Sequence, residues 1–319
     1  MLIIVPGTQA AFCGLQDHAN VIKAELELIG FDVEIRKWGF QTSTCRNTSI
    51  LLEFTPLAYS RLGFSFRLLL TVLRWRLNGC RVITYFHELP FPNGRGLKKQ
   101  LAVFLQQVYC SFLAAATAHS VVNQRQGWRW LQLLCGSRRL SFLPTCSNVG
   151  ESDLVATPDN RPLQVVIFGS PGKRRHSHAL VASLGGYRKL FGAQVQVIDI
   201  GEPLDLPSAL VPEVQILGSL PSAEIQERLL TSRFGFFYAE PNQFSKSGVF
   251  AAYSAHGVVP ILSHKVINPQ PYFLSHDEIV AGSSRFTDLK IVWQSCRDWY
   301  CQYTVKKCAL YIHCLACKL

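Results

Sequence analysis

Charged residues are scarce in this chain. They make up 17% of 319 residues, against 48% hydrophobic. That balance excludes a disordered chain and leaves material for a sizeable core. No run of eighteen apolar residues occurs, so no helix long enough to span a bilayer is expected. Met1–Pro6 is apolar but short and lacks a basic flank, which favours a first strand over a secretory leader. There is no Gly-x-Gly-x-x-Gly, which weakens a dinucleotide reading, and no Asp-x-Asp to cage a metal-bound diphosphate. The stacked-aromatic and helix-turn-helix patterns of nucleic-acid binders are also missing, so no nucleic-acid partner is expected. The cysteines number eleven, an odd count at irregular spacing in a long chain. That fits reduced thiols in a cytoplasm and not a disulfide framework.

What charge there is lies unevenly. Residues 1–150 hold 16 Lys/Arg against 7 Asp/Glu, and residues 151–319 hold 16 against 14. Between Arg61 and Lys99 there are eight cations and a single acid, Glu88. A basic half beside a near-neutral half suggests that one domain faces a polyanion. Within this region Leu62–Leu77 reads as a helix with Arg67, Arg74 and Arg76 interleaved among leucines and Trp75. It is either a core helix with snorkelling arginines or one lying in a lipid interface.

The stretch Phe234–Leu262 organises the second half. Phe234–Ala239 reads as a doubly buried strand, followed by a polar loop containing Pro241 and Asn242. Ser245, Lys246, Ser247 and Gly248 then open a helix over Val249–His256. Gly257 ends it in the left-handed conformation, and Val258–Leu262 reads as the next strand. A helix start with two hydroxyls, a lysine and no carboxylate favours an anion, read here as a phosphate. An ordinary crossover with a surface lysine is the plain alternative.

Other strand ends carry candidates too. Arg81–Phe86 runs into His87-Glu88-Leu89-Pro90, and the C-terminal end of a parallel strand is where ligands gather. His87 is the candidate proton acceptor with Glu88 holding its ring; a structural pair at a turn is the alternative. Leu163–Phe168 leads into Gly169-Ser170-Pro171-Gly172-Lys173-Arg174-Arg175, a glycine turn with three cations. It reads as a second phosphate cradle or as a solvated basic turn. Val214–Leu217 precedes Gly218-Ser219-Leu220-Pro221, with Ser222 expected to cap the helix that follows. Near the N-terminus, a small polar loop through Gly14 joins strand Leu2–Val5 to an amphipathic helix over His18–Ile29. Cys308, His313, Cys314 and Cys317 include one Cys-x-x-Cys but no second pair at finger spacing, so no metal site is expected there.

The layout of the stretch ending Ala255-His256-Gly257-Val258-Val259-Pro260 resembles the nucleotide-sugar site of GT-B glycosyltransferases of the retaining family-four type. TYFHELPF resembles the acceptor-side histidine of that superfamily, and Pro144-Thr145-Cys146-Ser147-Asn148 the turn ending its first domain. The family usually has two glutamates eight positions apart around the later helix. Alignment on Gly257 puts Phe244 and Ala252 there, so Ser-Lys-Ser-Gly is similar to a divergent branch in which hydroxyls and a lysine hold the diphosphate.

The resemblance implies an α/β chain of two Rossmann-like parallel-sheet domains facing a cleft, over 1–150 and 151–295. A helical tail, 296–319, is expected to cross back to the first domain. It implies transfer of a sugar from a nucleotide-diphosphate donor to a glycan or lipid-linked acceptor, with retention and without a metal, in polysaccharide assembly. Donor contacts are expected at Gly169, Ser170, Lys173, Arg174, Arg175, Gly218, Leu220 and Ser245–Gly248, and acceptor-side contacts at the loop with Gly14 and His18. The expected setting is cytoplasmic, with Arg61–Lys99 resting on an anionic membrane. A GT-B-shaped scaffold without activity is the alternative.

Overall fold

A computed structural model describes residues 1–7, 14–39, 45–90, 96–136, 139–264, 270–275, 278 and 289–317. The chain divides into two compact units, Met1–Thr145 with Val305–Leu319, and Cys146–Thr304. The two share one construction logic: short, mostly apolar strands, the majority of them followed by a helix.

In the first unit the strands are β1 (Leu2–Val5), β2 (Glu34–Lys37), β3 (Ser49–Phe54), β4 (Arg81–Phe86), β5 (His119–Val122) and β6 (Leu140–Phe142). They form a parallel sheet in the order β2-β1-β3-β4-β5-β6. The helices are α1 (Gly14–Leu28), α2 (Pro56–Tyr59), α3 (Phe66–Leu77), α4 (Leu97–Ala116) and α5 (Arg125–Cys135). β1 is buried at every position, and β3 and β4 at all but the first, because helices cover both sheet faces. The apolar pattern predicts strand two over Phe31–Ile35, but it begins at Glu34: it is an edge strand whose side chains are mostly exposed, so its apolar pattern is weak. α3 begins at Phe66 and not Leu62, because Gly63 takes φ +79° and Ser65 caps the first turn, accepting from Leu68 N at 3.3 Å.

The second unit has β7 (Gln164–Phe168), β8 (Gln196–Ile200), β9 (Val214–Gly218), β10 (Phe234–Phe237), β11 (Val259–Leu262) and β12 (Leu274–Ser275). Their order is β12-β11-β10-β7-β8-β9, again parallel. Its helices are α6 (Pro171–Ser183), α7 (Tyr187–Phe191), α8 (Ser222–Thr231), α9 (Gly248–His256) and α10 (Leu289–Cys301). Ser222 is the first residue of α8, and the cap is Pro221. Gly257 sits at φ +66°, ψ 28°, the left-handed stop expected from the sequence. Arg161 and Arg297 donate to the last carbonyls of α9, at His256 O (2.7 Å) and Ala255 O (2.5 Å). Two cations therefore complement the negative end of that helix.

The tail is shared between the units. α10 packs on α9 and β11, and α11 (Val305–Cys317) packs on α1 and returns the chain to the first unit. Ser49 Oγ and Arg81 Nε donate to the carbonyls of Ala316 and Leu315 at 2.9 and 2.5 Å, tying off α11. Cys308 is buried, and the His313 ring stacks on Phe31 at 3.5 Å. Cys45, Cys80, Cys110, Cys146, Cys296, Cys301, Cys308, Cys314 and Cys317 are free thiols. Among the described residues, no helix is long and apolar enough to cross a membrane.

Candidate functional site

Strand order fixes where each sheet can bind. In the second unit β7 and β10 are neighbours, yet β7 connects outward to β8 and β10 connects the other way to β11. The loops leaving two such strands separate to opposite faces and leave a crevice at the strands' C-terminal ends. The first unit has the same switch between β1 and β3.

At the crevice of the second unit two helices begin. α6 follows β7 through Gly169 (φ +117°) and Ser170, and α9 follows β10 through a 3-10 turn over Pro241–Lys246. Neither helix has an acid in its first turn. They start close together: a Cβ added at Gly169 would lie 3.0 Å from Val249 Cγ2. Phe168, Lys173, Arg174, Phe237, Tyr238 and Val249 are among the residues lining a small recess there. Lys246 closes the 3-10 turn, and Ser247 caps α9, its Oγ accepting from Phe250 N at 3.2 Å. The amides of Gly248 and Val249 open the helix, where α-helical geometry supplies no acceptor. Ser245 is buried, and Gly248 is half-buried. The predicted Ser-Lys-Ser-Gly start is thus split. Ser245 and Lys246 precede the helix, Ser247 caps it, and Gly248 is its first residue.

The three cations after Gly169 are not equivalent. They lie in the first turns of α6 and not in a loop, so successive side chains point about 100° apart. Lys173 and Arg175 are exposed, whereas Arg174 is 1% exposed. Its guanidinium pairs with Asp199 on β8 and donates to the carbonyls of Gly169 (2.9 Å) and Glu202. Asp199 also meets His178 Nε2 at 2.8 Å, and His178 Nδ1 meets the Tyr187 hydroxyl at 3.0 Å. Burial, then the Asp199 charge, pushes the Tyr187 phenol well up, so it stays protonated. Arg174 therefore holds the turn's shape, and its charge is neutralised within the protein. This corrects its expected place in a phosphate cradle.

Gly218 takes φ +73° at the end of β9, and its carbonyl accepts from Gly201 N at 2.9 Å. Leu220 packs against the cluster that includes Phe237 and Ala239. β9 is two strands from β7, about 10 Å along the sheet edge. Phe244 and Ala252, at the two family glutamate positions, serve the core. The Phe244 ring lies 5.1 Å from Phe250 and 5.7 Å from Trp299, and Ala252 is fully buried. Tyr238, which no sequence pattern marks, stacks its ring on His176 at 4.4 Å beside the recess.

The first unit's switch point holds a second cluster. Glu53, near the end of β3, is fully buried and accepts from two imidazoles: His18 Nδ1 at 3.0 Å and His87 Nε2. His18 stands on α1 and not in the preceding loop, while Gly14 is the exposed first residue of that helix. His87 follows β4 directly, and its amide donates to Phe54 O at 2.9 Å. The expected Glu88 partner is corrected to Glu53. Strand alternation turns Glu88 outward, where it is exposed, and brings His87 over β3. A lone carboxylate inside the buried run SILLEF was the signal in the sequence. Burial drives the Glu53 carboxyl up, but His18 and His87 outweigh it and hold it down to about 2. Burial lowers the His87 pKa despite Glu53, so its ring is neutral near pH 7.

Among the described residues, His18, Glu53 and His87 are also the group whose donor atoms could converge on a metal ion, lying within 4.8 Å of one another. Both carboxylate oxygens are already satisfied by imidazoles.

No family model and no curated protein matches the sequence. Solved structures do match the fold. The Anabaena HepE structure in complex with UDP aligns with a TM-score of 0.65 at 12% identity, covering 100% of this chain and 99% of that one. An α-glucosyltransferase bound to UDP-glucose and DNA containing an abasic site aligns at 0.56 and 10% identity, over 95% of each chain. The lipopolysaccharide outer core galactosyltransferase WaaB aligns at 0.56 and 9%, over 99% and 98%. The chain has a GT-B-like fold, with two six-stranded parallel α/β sheets.

Proposed function

We propose that this protein is a glycosyltransferase taking a sugar from a nucleoside diphosphate to a hydroxyl of a glycan or lipid-linked acceptor. The observation that carries this is the meeting of two acid-free helix starts, α6 with Lys173 and α9 with Lys246, at one switch point. Paired helix N-termini with adjacent lysines suit a diphosphate, and UDP-bound proteins of the same fold support that choice.

In this reading Ser245, Lys246, Ser247 and Gly248 hold one side of the diphosphate, and Gly169, Ser170 and Lys173 the other. Arg175 adds charge at the rim, and the backbone at Gly218 and Leu220 borders the base. The bond from the anomeric carbon to the diphosphate oxygen breaks while a bond to the acceptor oxygen forms. Negative charge grows on the leaving oxygen, where preorganised N–H groups and lysines stabilise it; each such donor contributes about 3–4 kcal/mol. His87, neutral near pH 7, is the candidate to take the acceptor's proton. Glu53 and His18 keep its ring oriented.

The placement of Phe244 and Ala252 in the core favours a second reading, a binding protein of the same shape without turnover. Release of UDP or GDP from a panel of sugar donors, with and without glycan or lipid-linked acceptors, separates the two. Turnover lost in His87→Ala with donor affinity kept supports transfer. Donor binding without turnover on any acceptor rejects it in favour of the binding protein.

A further inference from the structure

We propose that the outward faces of α3 and α4 dock on an anionic lipid bilayer. This inference goes beyond sugar transfer and does not rest on it. α3 carries two apolar stripes where one is enough to fold. The inner stripe, Leu68, Val72 and Trp75, is fully buried. The outer one, Phe66, Leu70, Leu73 and Leu77, recurs at helical spacing and is 70%, 65%, 43% and 89% exposed. The sequence left the leucines and Trp75 between core and lipid; the structure sends Trp75 inward and half of the apolar positions outward.

α4 repeats the arrangement. Leu97, Leu101, Phe104, Leu105 and Val108 form one stripe along its first three turns, and every one is exposed. No residue from Leu97 to Val108 is buried, so this half of the helix contributes little to the core. More than half of the large apolar side chains exposed among the described residues lie between Leu57 and Phe112. The two helices pack together, with Gln106 Nε2 donating to Leu62 O and the Tyr109 hydroxyl to Ser65 O, each at 2.9 Å. The stripes therefore belong to adjoining surfaces.

Charge selects the occupant. Arg67, Arg74 and Arg76 on α3 and Lys98 and Lys99 on α4 are exposed, and neither helix contains an Asp or Glu. A second copy on this face would set cations against cations in a two-fold interface. A bilayer with anionic headgroups accepts both parts, with leucine and phenylalanine at the acyl boundary and guanidinium and ammonium groups at the phosphates.

Co-sedimentation with vesicles tests this, comparing pure phosphatidylcholine with phosphatidylcholine containing phosphatidylglycerol. The full chain is expected to sediment with the anionic vesicles and at least ten-fold less with the neutral ones. Two triple variants carry the argument: Leu70→Ser/Leu101→Ser/Phe104→Ser, and Arg67→Gln/Arg74→Gln/Arg76→Gln. All six positions are exposed, so the melting temperature should hold in both. Vesicle affinity should fall at least ten-fold in the first and roughly 100-fold in the second, at about five-fold per basic side chain. Absence of sedimentation, or sedimentation unchanged in both variants, overturns the proposal. So does a lipid-independent dimer in light scattering that the first variant dissolves.

Discussion

His18 Nδ1 lies 3.0 Å from Glu53 Oε1, joining a helix to a strand across thirty-five residues of sequence. The same carboxylate meets His87 on its other oxygen. One buried anion thus sets the orientation of two imidazoles at the switch point of the first sheet. Removing it while leaving both rings in place should be costly. Glu53→Leu is expected to destabilise the protein by about 3–5 kcal/mol, and Glu53→Gln, which keeps one acceptor, by about 1–2 kcal/mol. Urea denaturation measures both. If transfer occurs, Glu53→Gln should lower kcat with little change in donor KM, because it acts through His87.

The pH dependence follows from the direction of three shifts. Burial lowers the folded-state pKa of His87 and of His256, so the unfolded chain binds more protons there. Their contribution is complete above about pH 6.5 and is lost as pH falls through the lower folded values. Glu53, held down to about 2, adds stability present above pH 4.5 and lost toward about 2. Stability should therefore fall steadily on acidification from about pH 6.5. His87→Gln should flatten the first part of that decline, leaving the share of His256, and move the lowest part to higher pH, because His18 alone then holds the Glu53 carboxyl down. A thermal melt series over roughly pH 2–8, the range these groups span, would record it.

Arg174 and Lys173 are neighbours with opposite tasks, and substitution should separate them. Arg174→Met leaves Asp199 buried with only His178 against it and should destabilise the protein by about 3 kcal/mol. Adding Asp199→Leu should recover part of that loss, because the second change removes the stranded charge. Lys173→Ala should leave stability within about 0.5 kcal/mol and act on nucleotide affinity instead. Urea midpoints for the three variants test this.

Backbone strain marks two glycines. Gly257→Ala would put a methyl 2.1 Å from Val155 Cγ1 and 2.9 Å from the Arg161 guanidinium, at φ +66°. A loss of more than about 2 kcal/mol is expected, with the C-terminal cap of α9 disturbed. Gly169→Ala meets a single methyl, Val249 Cγ2, at 3.0 Å, but at φ +117°. A smaller loss of about 1–2 kcal/mol should come with weakened nucleotide binding, since α6 and α9 start at this contact.

These residues also show which parts of the molecule can be read from its sequence. Doubly buried strands such as LIIV and QVVIF stand out as apolar runs, and Gly257 stands out because only glycine ends a helix cheaply at positive φ. The edge strand Glu34–Lys37 is hard to place because most of its side chains are exposed. Sequence adjacency points to Glu88, whereas the actual contact to Glu53 joins two neighbouring strands across thirty-four residues. Read locally, Arg174 belongs with its neighbours in a basic turn. Its phase was legible, since Arg174, Ser177, His178 and Val181 share the buried face of α6, but only once the turn is known to be helical. In each case local pattern was visible and pairing across the sheet was not.

Isothermal titration of the full chain with UDP and GDP tests the central claim most directly. One of the two should bind, and Lys173→Ala and Lys246→Ala should each weaken it about 10- to 100-fold with unchanged melting temperatures. Heats absent for both nucleotides, or an affinity indifferent to both lysines, would contradict a diphosphate site where α6 and α9 begin.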